Sequence, residues 1–172
     1  MAIPVLGTFA AGQRWRGADV NTLTDAVTFA FTAKSCRATS AATPSISNAT
    51  WTELTFGNES FDTDSWHSTS VDTDQIVPDI AGIFRVEIQV AFAPDATGMR
   101  GVRIYKNTTQ IAGVQQAAST GGTMTLLYAA TTMNANGSTD YFSAECYQAS
   151  GGALALETSA TATTFTVTWI GA

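Results

Sequence analysis

The stretch from Gly82 to Ala93 constrains the fold of this chain most, because Phe84, Val86, Ile88, Val90 and Phe92 alternate there with Arg85, Glu87 and Gln89. Successive side chains of a strand point to opposite faces, so this period puts one apolar face against a core and leaves a polar face outside. A strand of that kind needs a second layer to cover it. Further strand-like runs follow the same logic: Trp51 to Phe56, Met99 to Lys106, Gln110 to Gln116, Thr123 to Met133, Asp140 to Gln148, Ala153 to Thr158 and Thr163 to Ile170, with a first strand near Ser35 to Ala41. Turn residues lie between them, at Lys106-Asn107-Thr108, Asn134-Ala135-Asn136-Gly137 and Ser150-Gly151-Gly152, and each is expected to join two strands as an antiparallel hairpin. Nothing alternates strand with helix, and the even spacing of short strands predicts an all-β jelly roll or related sandwich.

One segment reads differently. Val20, Leu23, Val27 and Phe31 recur at helical spacing between Gly17 and Ala33, with Asp19, Asn21, Thr24 and Asp25 among them. The chain is therefore divided at residue 33: residues 1–33 form an arm with a short helix, and residues 34–172 form the head.

Composition narrows the partners. Hydrophobic residues make up 45% and charged residues 13%, so a core is available while few charges remain for the surface. A formal net charge of −6 lacks the clustered Lys and Arg that phosphate neutralisation needs, which argues against nucleic acid. Met1 to Ala11 has no basic leader segment, and no run approaches the length of a membrane span; neither secretion nor membrane insertion is expected. In a reducing place of synthesis Cys36 and Cys146, which could form one bridge, are expected to be buried free thiols. The Asn-x-Ser/Thr triplets at Asn48, Asn58, Asn107 and Asn136 are then ordinary turn residues.

Two sets of residues carry resemblances. Gly82-Ile83-Phe84-Arg85-Val86, the Lys106-Asn107 turn, Asp140-Tyr141-Phe142 with Cys146-Tyr147-Gln148-Ala149-Ser150-Gly151, and Thr163-Thr164-Phe165-Thr166-Val167 resemble, in order and spacing, the complement-globular-head and TNF-like jelly roll. The resemblance spans about Ser35 to Ala172. It implies a two-sheet antiparallel jelly roll that assembles as a homotrimer through an aromatic and aliphatic sheet face. It also implies that the first strand pairs with the last and that the Cys146 strand lies further across the same sheet, out of bonding reach of Cys36. Phe9, Gly12, Trp15, Asp19, Val20, Asn21, Leu23 and Asp25 resemble the leader of tail and minor structural proteins of actinobacterial phages, with Phe9, Arg16-Gly17, Val20 and Thr24 standing where that pattern has Trp, Thr-Ala, Leu and Arg. That resemblance assigns these residues to a virion anchor.

Chemistry is sparse. The sequence holds no Gly-x-Ser-x-Gly, phosphate loop, dinucleotide fingerprint or His-Glu-x-x-His pattern, and His67 is its single histidine. No catalytic residue, cofactor or metal is expected. The pairs Asp62/Asp64 and Asp72/Asp74 read as solvated turn carboxylates, although hard oxygen ligands in loops can hold calcium. Trp51, Trp66 and Trp169 could form a sugar-stacking platform or belong to the core. Trp169 continues the row of Phe165 and Val167 and is assigned to the core, whereas Trp66, among polar residues, is expected at the surface, with His67 beside it as a candidate ligand contact.

The expected function is that of a non-enzymatic bacteriophage structural protein, made in the host bacterial cytoplasm and built into the virion. Its trimeric head would contribute to host attachment at the tail tip, with other virion proteins held through residues 1–33 and a host cell-surface glycan or protein as target. The alternative within this class is a capsid decoration protein at three-fold positions. A free carbohydrate-binding module would need an export signal, and a tail-borne depolymerase would need paired carboxylates in a cleft.

Overall fold

The structure, a computed structural model, describes residues 11–14, 16–158 and 162–172. The chain forms two compact units, Met1–Ala33 and Lys34–Ala172. In the first, α1 (Gly17–Phe31) starts after an extended Arg16, whose backbone N–H is accepted by Asp19 at 2.8 Å. A carboxylate there meets the donor-rich end of the helix, the favourable sign for its dipole. Val20, Leu23, Val27 and Phe31 make one stripe along it, exposed by 48, 36, 47 and 86%. Of the other anchor residues, Gly12 takes φ +82°, Asn21 and Asp25 are exposed, and Phe9 and Trp15 lie outside the described residues.

The second unit contains β1 (Ser35–Thr39), β2 (Ser45–Ile46), β3 (Thr50–Glu53), β4 (Asn58–Asp62), β5 (Ala81–Phe92), β6 (Met99–Lys106), β7 (Thr109–Ala117), β8 (Thr125–Asn136), β9 (Phe142–Gln148), β10 (Leu154–Ala155) and β11 (Thr164–Gly171). They form a five-stranded sheet ordered β4-β1-β11-β5-β8, a four-stranded sheet ordered β3-β9-β6-β7, and the short pair β10-β2. This is the predicted antiparallel sandwich.

The pattern that announced β5 explains its place. Phe84, Val86, Ile88 and Val90 are fully buried, and the register sets Val86 beside Val167 and Ile88 beside both Phe165 and Ala129. From the opposing sheet Val102, Ile104, Phe142, Ala144 and Cys146 close the core, with the Phe84 and Phe142 rings 5.9 Å apart across it. Each of the Val, Ile and Phe side chains among them contributes about 1.5–3 kcal/mol by leaving water.

Three expectations need correction. Only the Lys106-Asn107-Thr108 turn makes a hairpin, β6 with β7, where Asn107 takes φ +54°. The bends near Asn136-Gly137 and Ser150-Gly151-Gly152 instead carry the chain between sheets, since β8 pairs with β5, β9 with β3 and β6, and β10 with β2. Local turn chemistry reverses a chain without choosing its next partner. Trp169 is not core: it stands abreast of Phe84 in register, but a bulge follows it, and the half-exposed indole donates to the Ala81 carbonyl at 3.3 Å. Strands β2 and β4 were not foreseen at all.

The Lys-Asn and Asp-Tyr pieces of the sequence meet in space. The Asn107 amide donates to Asp140 Oδ1 at 2.9 Å and accepts the Tyr141 N–H at 3.0 Å, while Asp140 Oδ2 takes the Asn136 N–H at 2.9 Å and Lys106 Nζ at 3.0 Å. Lys106 is therefore tied into this cluster by an ion pair. The Asn107 bond, helped by Lys106 and the Asn136 N–H and opposed by burial, holds the Asp140 carboxyl below the usual carboxylate range. Asp140→Ala is expected to cost about 1–3 kcal/mol at neutral pH. Because the folded value lies below the unfolded one of about 3.9, this contribution is complete above the unfolded value and is lost as pH falls through the folded one. Urea titrations at about pH 6 and about pH 3 should show the gap between native and variant proteins shrinking in acid; an equal gap at both would refute the assignment.

Candidate functional site

Trp66 and His67 follow β4, and the structure turns both inward. Trp66 is 2% exposed, its Nε1 donates to Asp79 Oδ1 at 2.9 Å, and its ring meets Phe84 edge-on at 5.5 Å. This corrects the expected surface position. Polar neighbours did not mean exposure, because Asp79 gives the indole N–H a partner and frees the ring to pack. His67 is held between Glu59 Oε1, 2.8 Å from Nδ1, and the Thr73 carbonyl, 3.3 Å from Nε2. A hollow of about 370 Å³ opens beside this loop, with Val71 and Asp72 exposed on its rim. A ligand contact in this region would fall to that rim.

The carboxylates around the loop fasten it. Asp62 accepts the backbone N–H groups of His67 at 2.8 Å and Asp64 at 3.4 Å, and Asp64 pairs with Lys34 at 3.4 Å. Asp64 and His67 are thus both held by side-chain contacts, whereas Asp72 is exposed. Among the described residues no three His, Cys, Asp or Glu side chains gather as metal ligands would.

Cys36 and Cys146 are both buried and unbridged. The resemblance placed their strands in one sheet; the structure puts Cys36 on β1 of the five-stranded sheet and Cys146 on β9 of the four-stranded one. Burial, then the charges of Asp62 and Glu59, push the Cys36 thiol far above its ordinary value, and burial with Glu145 pushes Cys146 up to about 12. Burial of this kind disfavours the thiolate, the reactive form of cysteine.

The two outward sheet faces differ. On the five-stranded sheet, Ile83, Leu126 and Tyr128 are exposed by 42, 49 and 50%, and Phe61 on β4 by 43%. Among them Arg85 donates to Glu87 at 2.8 Å and to Tyr128 at 3.3 Å, and the Tyr128 hydroxyl donates to Glu87. Apolar side chains around a small charged network make a surface suited to a protein partner. On the four-stranded sheet, Trp51 lies against Tyr147 and Arg103, and Tyr105 donates to Glu145 at 2.9 Å. Partial desolvation and the neighbouring carboxylates of Asp74 and Glu145 hold the Glu53 carboxyl above its usual range. Sequence reasoning named Trp51 but not its companions. The usable signal was the alternation of Gly101, Arg103 and Tyr105 with buried Arg100, Val102 and Ile104.

No family model matches the sequence, and no curated protein does. Solved structures do. Murine APRIL at pH 5.0 superposes on 81% of this chain and 100% of its own with a TM-score of 0.63 at 13% identity, and murine APRIL at pH 8.5 gives 0.62 at 14% over the same shares. Eiger TNF from S. frugiperda matches over 81% of this chain and 93% of its own, with a TM-score of 0.55 at 7% identity. The fold is TNF-like: an antiparallel β sandwich with one N-terminal helix.

Proposed function

We propose that this chain is a non-enzymatic structural protein of a bacteriophage virion, whose TNF-like head assembles as a homotrimer and whose first 33 residues hold it to another virion protein. The observation that carries the reading is the pair of apolar surfaces, one on each compact unit. Ile83, Leu126, Tyr128 and Phe61 lie on an outward sheet face of the head, and Val20, Leu23, Val27 and Phe31 run along the helix. Heads of this fold usually form trimers, and self-association covers apolar surface that a single copy leaves wet. An amphipathic helix with a row of i, i+3, i+7 anchors is the usual form of a segment docking into a groove. The phage leader resemblance, through Gly12, Asp19, Val20, Asn21, Leu23 and Asp25, makes that groove one of a virion protein, at the tail tip in this reading.

Light scattering on purified protein at micromolar concentration should give three times the monomer mass. Deleting residues 1–33 should leave a trimer, at three times the mass of the shortened chain, and abolish incorporation into particles. A monomer mass would overturn the trimer, and incorporation of the truncated protein would overturn the anchor. Antibody labelling of intact virions decides between tail tip and capsid surface.

A further inference from the structure

The outward face of the four-stranded sheet holds a hollow that the proposed function does not use. Strand pairing sets Trp51, Tyr147, Gly101 and Gln115 abreast, and Glu145, Arg103 and Gly113 in the next row. Gly101 leaves room for the indole of Trp51 to reach across Tyr147, so close that a Cβ at Gly101 would stand 2.8 Å from the ring edge. The Arg103 guanidinium stacks on that indole, 3.5 Å from the ring centroid. Gly113 keeps a second position clear, where a Cβ would stand 2.9 Å from the Val102 carbonyl oxygen, 3.3 Å from the Arg103 side chain and 3.4 Å from the Gln110 amide. Around it Trp51, Arg103, Gln110 and Gln115 line a space of about 190 Å³.

We propose that this hollow binds one sugar ring that carries a carboxylate. Arg103 is the sole ionisable side chain lining it. It makes no ion pair among the described residues, because Glu145, directly across from it, takes the Tyr105 hydroxyl instead. Among the described residues the one polar contact of the Arg103 side chain is a long 3.5 Å approach to Tyr105 Oη. A planar guanidinium already oriented by stacking, with its donors unspent, matches a carboxylate in two-pronged geometry. The Gln110 and Gln115 amides each offer donors and an acceptor, the complement of vicinal hydroxyls. Because the guanidinium covers one face of the indole, Trp51 adds an apolar edge to the hollow and not an open face. The space is smaller than the roughly 300–1,000 Å³ of drug-sized pockets, so one ring fits rather than an extended ligand. A single weak site gains avidity when copies are joined, but the site lies within one chain and needs neither trimer nor virion.

Glucuronic acid and glucose, titrated separately into the intact protein with tryptophan fluorescence and calorimetry as readouts, test this. Glucuronic acid should bind about tenfold or more tightly than glucose, Arg103→Gln should remove that preference, and Trp51→Ala should weaken both. Arg103→Lys, which keeps the charge without the fork, should retain only part of it, and an unchanged melt for both Arg103 variants shows that folding is intact. Equal affinity for the two sugars, or no binding of either at about 10 mM, overturns the proposal. Acetate competing as well as glucuronic acid does so too, since the hollow would then hold an anion and not a sugar.

Discussion

Phe84→Ala and Phe165→Ala are each expected to cost about 3–5 kcal/mol, the range for emptying a buried phenylalanine site. Both rings are fully buried, and each sits where the two sheets must agree. Phe84 touches Phe142 of the four-stranded sheet at 5.9 Å and Trp66 at 5.5 Å, so its removal leaves two large rings facing a void. Phe165 stacks on Phe56 at 5.7 Å, which with Leu54 carries the segment after β3 into the core. Partial collapse is hard at either position, because both strands are fixed by neighbours on two sides: β5 lies between β11 and β8, and β11 between β1 and β5. For a chain of this size about 2–4 °C of melting temperature goes with each kcal/mol. Thermal melts at one fixed protein concentration should place both variants far below the native protein, with Thr108→Ala, exposed in the β6–β7 turn, near it. A native-like melt for either Phe variant would mean that the inner faces have been assigned wrongly.

What was legible in the sequence follows from which interactions are local. Strand β5 could be read because each residue's environment is set by its parity. The same holds for β6, whose bounds of Met99 and Lys106 coincide with the expected run. Strand β4 could not be read: four of its five positions are exposed, and its place comes from pairing with β1, a partner about twenty residues away in sequence. The two-residue ladder of β2 with β10 is still less local. At the candidate sites the failure has one cause. Whether an indole faces water depends on partners that composition does not reveal, Asp79 for Trp66 and the side-chain-free Gly101 for Trp51. Trp66 among polar residues turned inward, and Trp51, in a run read as a plain strand, came to line the open hollow. The fold-level resemblance was readable because it rests on order and spacing, which tolerate substitution. The two cysteines show its limit, since a resemblance gave the wrong sheet for one of them.

Arg100 is the residue whose weight no pattern suggested, and Arg100→Met is expected to cost about 3 kcal/mol. It occupies an inward position of β6, in line with Val102 and Ile104, and is completely buried. An unpaired cation there would be untenable, so both Nη groups are spent on the preceding turn, while Nε is buried without a partner among the described residues. Nη1 donates to the carbonyls of Thr97 at 2.8 Å and Met99 at 3.1 Å, and Nη2 to the Asp95 carbonyl at 3.0 Å and carboxylate at 3.3 Å, with Phe92 packed 5.8 Å beneath the guanidinium. The turn it gathers links β5 to β6, which is the passage from the five-stranded to the four-stranded sheet. Loss of the guanidinium leaves carbonyls that must turn to water and loosens that passage. Methionine refills part of the volume, and Asp95 can rehydrate, which puts the cost at the lower end of the range for breaking a buried pair. Lysine keeps a charge for Asp95 but cannot reach three carbonyls in a plane, so Arg100→Lys should fall between the native protein and Arg100→Met. Denaturant titrations of the three proteins should give that order. If Arg100→Met is as stable as the native chain, the crossover is held by the backbone alone, through the Ala118 N–H to Gly98 and the Ala149 N–H to Met99 bonds, and the buried cation is dispensable.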